Sequence, residues 1–89
     1  MKTAFAKSFA KDLKRHANDK NLLDRIQEII LEVEAAGSIT SINNLKKLKA
    51  EGSYFRIRTG NYRLGLIIDG DTVTFVRILH RSEMYRYFP

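Results

Sequence analysis

A change of period at Gly37 limits the fold more than any other feature of this chain. From Phe5 to His16 the apolar residues Phe5, Phe9 and Leu13 recur every fourth position, with Lys7, Lys11, Lys14 and Arg15 largely filling the gaps. That spacing predicts an amphipathic helix. Asn18-Asp19 breaks the pattern and can cap a second helix, whose wide stripe of Leu22, Leu23, Ile26, Ile29, Ile30 and Val33 stops at Gly37-Ser38. Beyond Gly37 the period shortens to two. Asn43-Asn44 and Leu45-Lys46-Lys47-Leu48-Lys49 read as a loop approaching a sheet. Tyr54 to Arg58 then alternates, with Phe55 and Ile57 on one face and Tyr54, Arg56 and Arg58 on the other. Thr59-Gly60-Asn61 is a turn signal, Tyr62 to Ile68 a strand, and Asp69-Gly70-Asp71 a tight hairpin connection. Thr72 to Leu79 is a strand apolar on both faces, and His80 to Pro89 is a short polar and aromatic tail. Met1 to Ala4 leaves room for a short strand ahead of the first helix. The expected fold class is α+β, an N-terminal helical hairpin packed on a small antiparallel β-sheet through Phe9, Leu13, Ile26, Ile30, Phe55, Ile57 and Leu64.

Eighty-nine residues predict a single domain, residues 1–89, with little room for a deep cleft around a large cofactor. No cofactor is expected. The absence of cysteine removes disulfides, thiolate zinc sites and cysteine nucleophiles, and His16 and His80 alone are too few for a typical structural metal site. No stretch reaches the ~18 apolar residues of a membrane span. The N-terminus lacks a continuous apolar signal core, so the expected location is the cytoplasm, with no membrane partner.

Sixteen basic against ten acidic side chains give a net charge of +6. Residues 1–44 hold seven basic and six acidic side chains, whereas residues 45–89 hold nine and four. The positive field therefore belongs to the second half, and it suits a phosphate backbone or an acidic protein partner. Its carriers converge on the sheet and its tail: Arg56, Arg58, Arg63, Arg77, His80, Arg81 and Arg86, interleaved with Tyr54, Tyr62, Tyr85 and Tyr87. Guanidinium forks grip phosphate bidentately, and tyrosine rings can stack on unpaired bases. Alternation sets Arg56 and Arg58 roughly 7 Å apart along one face, about one nucleotide's phosphate spacing.

The segment Lys46 to Asp69, with Leu45-Lys46-Lys47-Leu48-Lys49, Tyr54-Phe55-Arg56-Ile57-Arg58 and Gly60-Asn61-Tyr62-Arg63-Leu64, followed by His80-Arg81-Ser82-Glu83-Met84-Tyr85-Arg86, resembles the RelE/ParE superfamily of bacterial toxin-antitoxin toxins. The likeness covers almost the whole chain, and the order and spacing of its parts agree over some 40 residues. It implies a domain held inactive in a hetero-oligomer with an antitoxin encoded next to it. RelE-like members enter the ribosomal A site and cut mRNA; ParE-like members act on DNA gyrase. The RelE-like site maps onto Arg56, Arg58, Arg63, Arg81 and Tyr85. The departure is at Arg56 and Arg58, where the best-known ribosome-dependent members carry lysine, and arginine is a poor proton shuttle.

The resemblance thus implies a ribosome-dependent mRNA endoribonuclease working by 2'-hydroxyl attack without metal. Such cleavage needs a base for the 2'-hydroxyl, positive charge on the phosphate and an acid for the 5' oxygen. Arg56, Arg58, Arg63 and Arg81 are the expected phosphate clamps, with His80 or Tyr85 as proton carrier. Lys46, Lys47, Lys49, Tyr54 and Tyr62 are candidate RNA contacts. A ParE-like gyrase inhibitor and a noncatalytic RNA- or protein-binding domain are the alternatives. Plainer roles stand beside these: Tyr54 and Tyr62 as cross-strand packing, the lysines as a solvated run, His80 as a strand end, and Arg77 as the partner of an acid such as Glu83.

Overall fold

The computed structural model describes residues 1–49 and 52–89. Its elements are β1 (Lys2–Phe5), α1 (Lys7–Arg15), α2 (Lys20–Ala35), a 3-10 turn (Ile39–Ser41), β2 (Leu45–Lys47), β3 (Tyr54–Thr59), β4 (Tyr62–Asp69), β5 (Thr72–His80) and α3 (Met84–Tyr87). The five strands form one sheet in the order β1-β5-β4-β3-β2. Helices on a sheet make the α+β class expected, with one correction: the sheet is mixed. β1 lies parallel to β5, Lys2 opposite Thr72 and Phe5 opposite Phe75, and the other pairings are antiparallel.

Local chemistry accounts for the boundaries. Phe5, expected in the first helix, belongs to β1 and is 53% exposed, because α1 begins only at Lys7. Asp19 caps α2 by accepting a hydrogen bond from the Leu22 amide at 3.1 Å, and Lys14 and Arg15 complement the C-terminal end of α1. Gly60 opens the β3–β4 turn at φ 59°, where a side chain is disfavoured. Leu45 to Lys47, expected as loop, are a short strand, since their backbone completes the edge of β3 with Leu45 opposite Ile57.

The helix side of the sheet holds the main core. Phe9, Leu22, Ile26 and Val33 bury against Ile57, Leu64, Leu66, Ile68, Val73, Phe75 and Ile78, with Leu13, Ile30 and Phe55 partly buried around them. The C-terminal segment, expected as a polar tail, instead supplies a second cluster. Met84 and Phe88 are buried with Leu79, and Leu48, Tyr54 and Val76 pack against them.

Where β1 ends, α1 takes over the outer edge of β5. Ser8 Oγ donates to the Val76 carbonyl at 2.6 Å, and the Ile78 amide donates to Asp12 Oδ2 at 2.8 Å. Asp12 is 2% exposed and also accepts from Arg77 Nε at 2.8 Å. Arg77 therefore pairs with an acid, as expected, but the acid is Asp12 and not Glu83. Val76 has no partner between the pairs Gly65–Arg77 and Leu66–Phe75, a bulge that re-aims the strand at this point.

Candidate functional site

Residues opposite each other in a sheet share a face. Arg58 pairs with Arg63 and Arg63 with Leu79, while Lys46 pairs with Arg56 and Arg56 with Gly65. The alternating residues Ile57, Leu64 and Ile78 point into the main core. Lys46, Arg56, Arg58 and Arg63 therefore stand together on the side of the sheet away from α1 and α2. α3 lies on that same side, because its anchors Met84 and Phe88 pack on Leu79.

The Arg56 and Arg63 guanidiniums are held by backbone carbonyls. Arg56 Nη1 donates to the Asn44 carbonyl at 3.0 Å, and the same carbonyl accepts the Arg58 amide at 3.2 Å. Asn44 presents that oxygen from a left-handed conformation, φ 61°, which asparagine tolerates better than most residues. Arg63 Nη1 donates to the Gly60 and Tyr62 carbonyls, both at 2.9 Å. The Arg81 amide donates to the Asn61 carbonyl at 2.7 Å, so the chain leaving β5 is tied to the turn that carries Arg63. Tyr85 is 75% exposed above this region.

The electrostatics are one-signed. Burial, then the charges of Arg56, Arg58 and Arg81, push the Arg63 guanidinium below its ordinary value, and Tyr85 acts in the opposite direction. None of these four arginines makes an ion pair with a carboxylate among the described residues. Such a face holds repulsion that an oxyanion would relieve, and its forked donors suit phosphate. Among the described residues no cluster of three or more metal-ligating side chains occurs.

His80 and Tyr62 lie elsewhere. His80 shares the helix side with Tyr62, whose ring stands edge-on between two imidazoles: His16 at 5.3 Å and His80 at 5.7 Å between centroids. His80 Nδ1 engages Ser82 Oγ at 2.8 Å. These rings border a groove of about 540 Å³ with Arg15, Arg77 and Glu83, apart from the arginine face. Tyr54 is packed edge-on against Phe88 at 5.7 Å. Lys47 pairs with Phe55, away from the arginines, and Lys49 is exposed beyond β2. Sequence reasoning missed Asn44, Gly65 and Phe88. Only Asn43-Asn44 gave a signal, as a loop.

Comparison with known proteins agrees with this fold. A sequence profile of the family described as ParE toxin of type II toxin-antitoxin system, parDE, matches residues 4–85. Toxin RelE3 of Methanocaldococcus jannaschii is 44% identical over 90 residues, spanning 100% of both chains. In the RelB-RelE antitoxin-toxin complex from Methanococcus jannaschii, one solved chain is 43% identical, with a TM-score of 0.79 covering 97% of this chain and 99% of that one. The YoeB dimer from Staphylococcus aureus shares the fold at 21% identity, TM-score 0.69, over 86% of this chain and 92% of its own. The profile covers nearly the whole length and the relative aligns end to end, so the chain belongs to the ParE toxin family of type II toxin-antitoxin systems.

Proposed function

We propose that this toxin is a ribosome-dependent mRNA endoribonuclease whose reaction takes place on the arginine face. The observation that carries this reading is the gathering of Arg56, Arg58, Arg63 and Arg81 around one open surface under Tyr85, with no carboxylate paired to any of them among the described residues. The 2'-oxygen attacks the adjacent phosphorus as its proton passes to solvent water. The bond to the 5' oxygen breaks, and that oxygen takes a proton, leaving a 2',3'-cyclic phosphate and a 5'-hydroxyl. The guanidiniums stabilise the charge on the phosphate oxygens. Arginine stays protonated, so Tyr85 is the proton carrier on this face: its hydroxyl gives the 5' oxygen its proton and is restored by water. The face is shallow and cannot bend RNA into line by itself. The ribosome supplies that orientation, which is worth ~7 kcal/mol or more.

The partner in this reading is a small antitoxin encoded next to the toxin, whose acidic or apolar segment covers the arginine face in a hetero-oligomer. The RelB-RelE antitoxin-toxin complex from Methanococcus jannaschii supports an antitoxin partner. Attraction between opposite charges would speed capture. A second reading, gyrase inhibition, is favoured by the ParE description of the matching family and by arginine, not lysine, at positions 56 and 58.

Brief expression in a bacterium, with RNA ends mapped and DNA breaks scored together, separates the two. New RNA ends within translated messages support the ribonuclease. Gyrase-linked breaks without new RNA ends select the alternative.

A further inference from the structure

The C-terminal turn is seated on the sheet by a contact that sequence patterning does not show. A Cβ built on Gly65 would lie 2.9 Å from two carbons of the Phe88 ring and 3.0 Å from a third. Phe88 is 3% exposed, and Tyr54 closes on its ring edge-on at 5.7 Å. Four residues earlier Met84, 2% exposed, makes the second anchor, and the Phe88 amide donates to the Met84 carbonyl at 2.9 Å. Between the two anchors the chain presents Tyr85, 75% exposed. Gly65 also stands opposite Arg56 in the sheet, so the Phe88 seat adjoins the row that carries Arg56 and Lys46.

We infer that Gly65 and Phe88 are positioning residues for the proposed cleavage site: the Phe88 ring lying flush on the bare Gly65 backbone fixes α3, and thereby fixes where the Tyr85 hydroxyl stands over the arginines. Neither residue touches RNA. α3 has only four residues, too few to hold itself by helical hydrogen bonds. Its placement is set by the depth to which Met84 and Phe88 sink onto the sheet. A methyl group at position 65 would lift the ring, and an aromatic ring against backbone has no flexible end with which to yield. The displacement passes to Tyr85, three residues before Phe88. Proton transfer demands hydrogen-bond reach, so a shift of about 1 Å is enough to cost rate while leaving phosphate binding by the sheet arginines in place.

This inference rests on the ribonuclease reading, and the test keeps the two apart. Wild type, Gly65→Ala, Phe88→Leu and the double variant Gly65→Ala/Phe88→Leu are compared in single-turnover cleavage of mRNA on stalled ribosomes and in backbone amide NMR spectra. Gly65→Ala is expected to lower the maximal rate about tenfold or more, with half-saturation changed by less than about threefold. It should shift the amides of α3 and leave those of Ile26 in the helix-side core in place. Leucine frees roughly the volume that the new methyl occupies, so the double variant should recover most of the lost rate and return the α3 amides toward wild type. A wild-type rate in Gly65→Ala, or a double variant no faster than Gly65→Ala, would overturn the assignment. Should Gly65→Ala not fold, Phe88→Ala replaces it by unseating the turn, and an unchanged rate there overturns the assignment equally. If wild type cuts no RNA, the ribonuclease reading falls. The amide shifts then decide alone: movement in Gly65→Ala with reversal in the double variant upholds the seat, and unmoved α3 amides refute it.

Discussion

Arg58 on β3 and Arg63 on β4 stand directly opposite each other across the sheet, a like-charged cross-strand pair. Such a pair opposes folding by a few tenths of a kcal/mol up to about 1 kcal/mol, and it is tolerable when a ligand neutralises it. Arg58→Gln should therefore raise the melting temperature by about 2 to 4 °C while lowering cleavage about tenfold or more. Calorimetry and ribosome-bound cleavage assays on the same preparation check both halves. A variant that loses stability and activity together would mean that Arg58 is structural.

Arg63 gives the same argument a pH dimension. Its guanidinium is pushed downward in the folded protein by burial and by its cationic neighbours. A base whose folded value is lowered opposes folding while protonated, and the opposition lifts only as pH rises through that value, far into the alkaline range. Melting curves between about pH 6 and 8 should thus show no stability change from Arg63. Sulfate should raise the melting temperature more than chloride at equal ionic strength, and Arg63→Gln should reduce that difference.

Among the described residues Asp12 is the buried charged residue, held by the Ile78 amide and the Arg77 side chain. Asp12→Ala strands both donors and should cost about 3 kcal/mol in urea unfolding, at the lower end for a broken buried pair because Arg77 keeps 23% exposure. Asp12→Asn keeps an acceptor for the Ile78 amide and should lose less.

His80 lies with Tyr62 and His16 on the far side of the sheet from Arg63. His80→Ala should leave cleavage within about twofold, whereas Tyr85→Phe should lose on the order of 100-fold if its hydroxyl carries the proton. A 100-fold loss in His80→Ala, at about the scale of general acid-base catalysis, would return that role to the imidazole.

Ile26 and Ile57 are 1% and 2% exposed in the main core. Replacing either by alanine should cost about 2 to 5 kcal/mol, enough to threaten a domain of this size. Unchanged melting curves for both variants would contradict the packing described.

The elements legible in the sequence are those set by neighbours in the chain. The stripe of α2, the Asp19 cap and the alternation of β3 all depend on residues within a few positions, and each is present. The arginine face followed from the same alternation, since Arg56 and Arg58 fall on one side and the turn at Gly60 brings Arg63 opposite Arg58. What escaped depends on distant partners. Asp12 reads as one charge on a wet helix until Arg77 arrives 65 residues later. Leu45 to Lys47 become a strand only because β3 offers an edge. Phe88 becomes core only because position 65 carries no side chain. His80 adjoins Arg81 in sequence, yet it pairs with Tyr62 at the end of β5, and the pleat of β4 puts Tyr62 and Arg63 on opposite faces.

The parallel pairing of β1 with β5 also sets the order in which the fold can be completed during synthesis. Lys2 to Phe5 have no strand to join until Thr72 to Phe75 exist, and Tyr85 has no seat until Phe88 follows it. Contacts between such distant segments form late and slowly. A nascent chain can therefore bring Arg56, Arg58 and Arg63 together in the β3–β4 hairpin before Arg81 and the seated Tyr85 join them. The seat of Tyr85 is complete only after translation has passed Phe88, so the last surface to form is the one that α3 contributes.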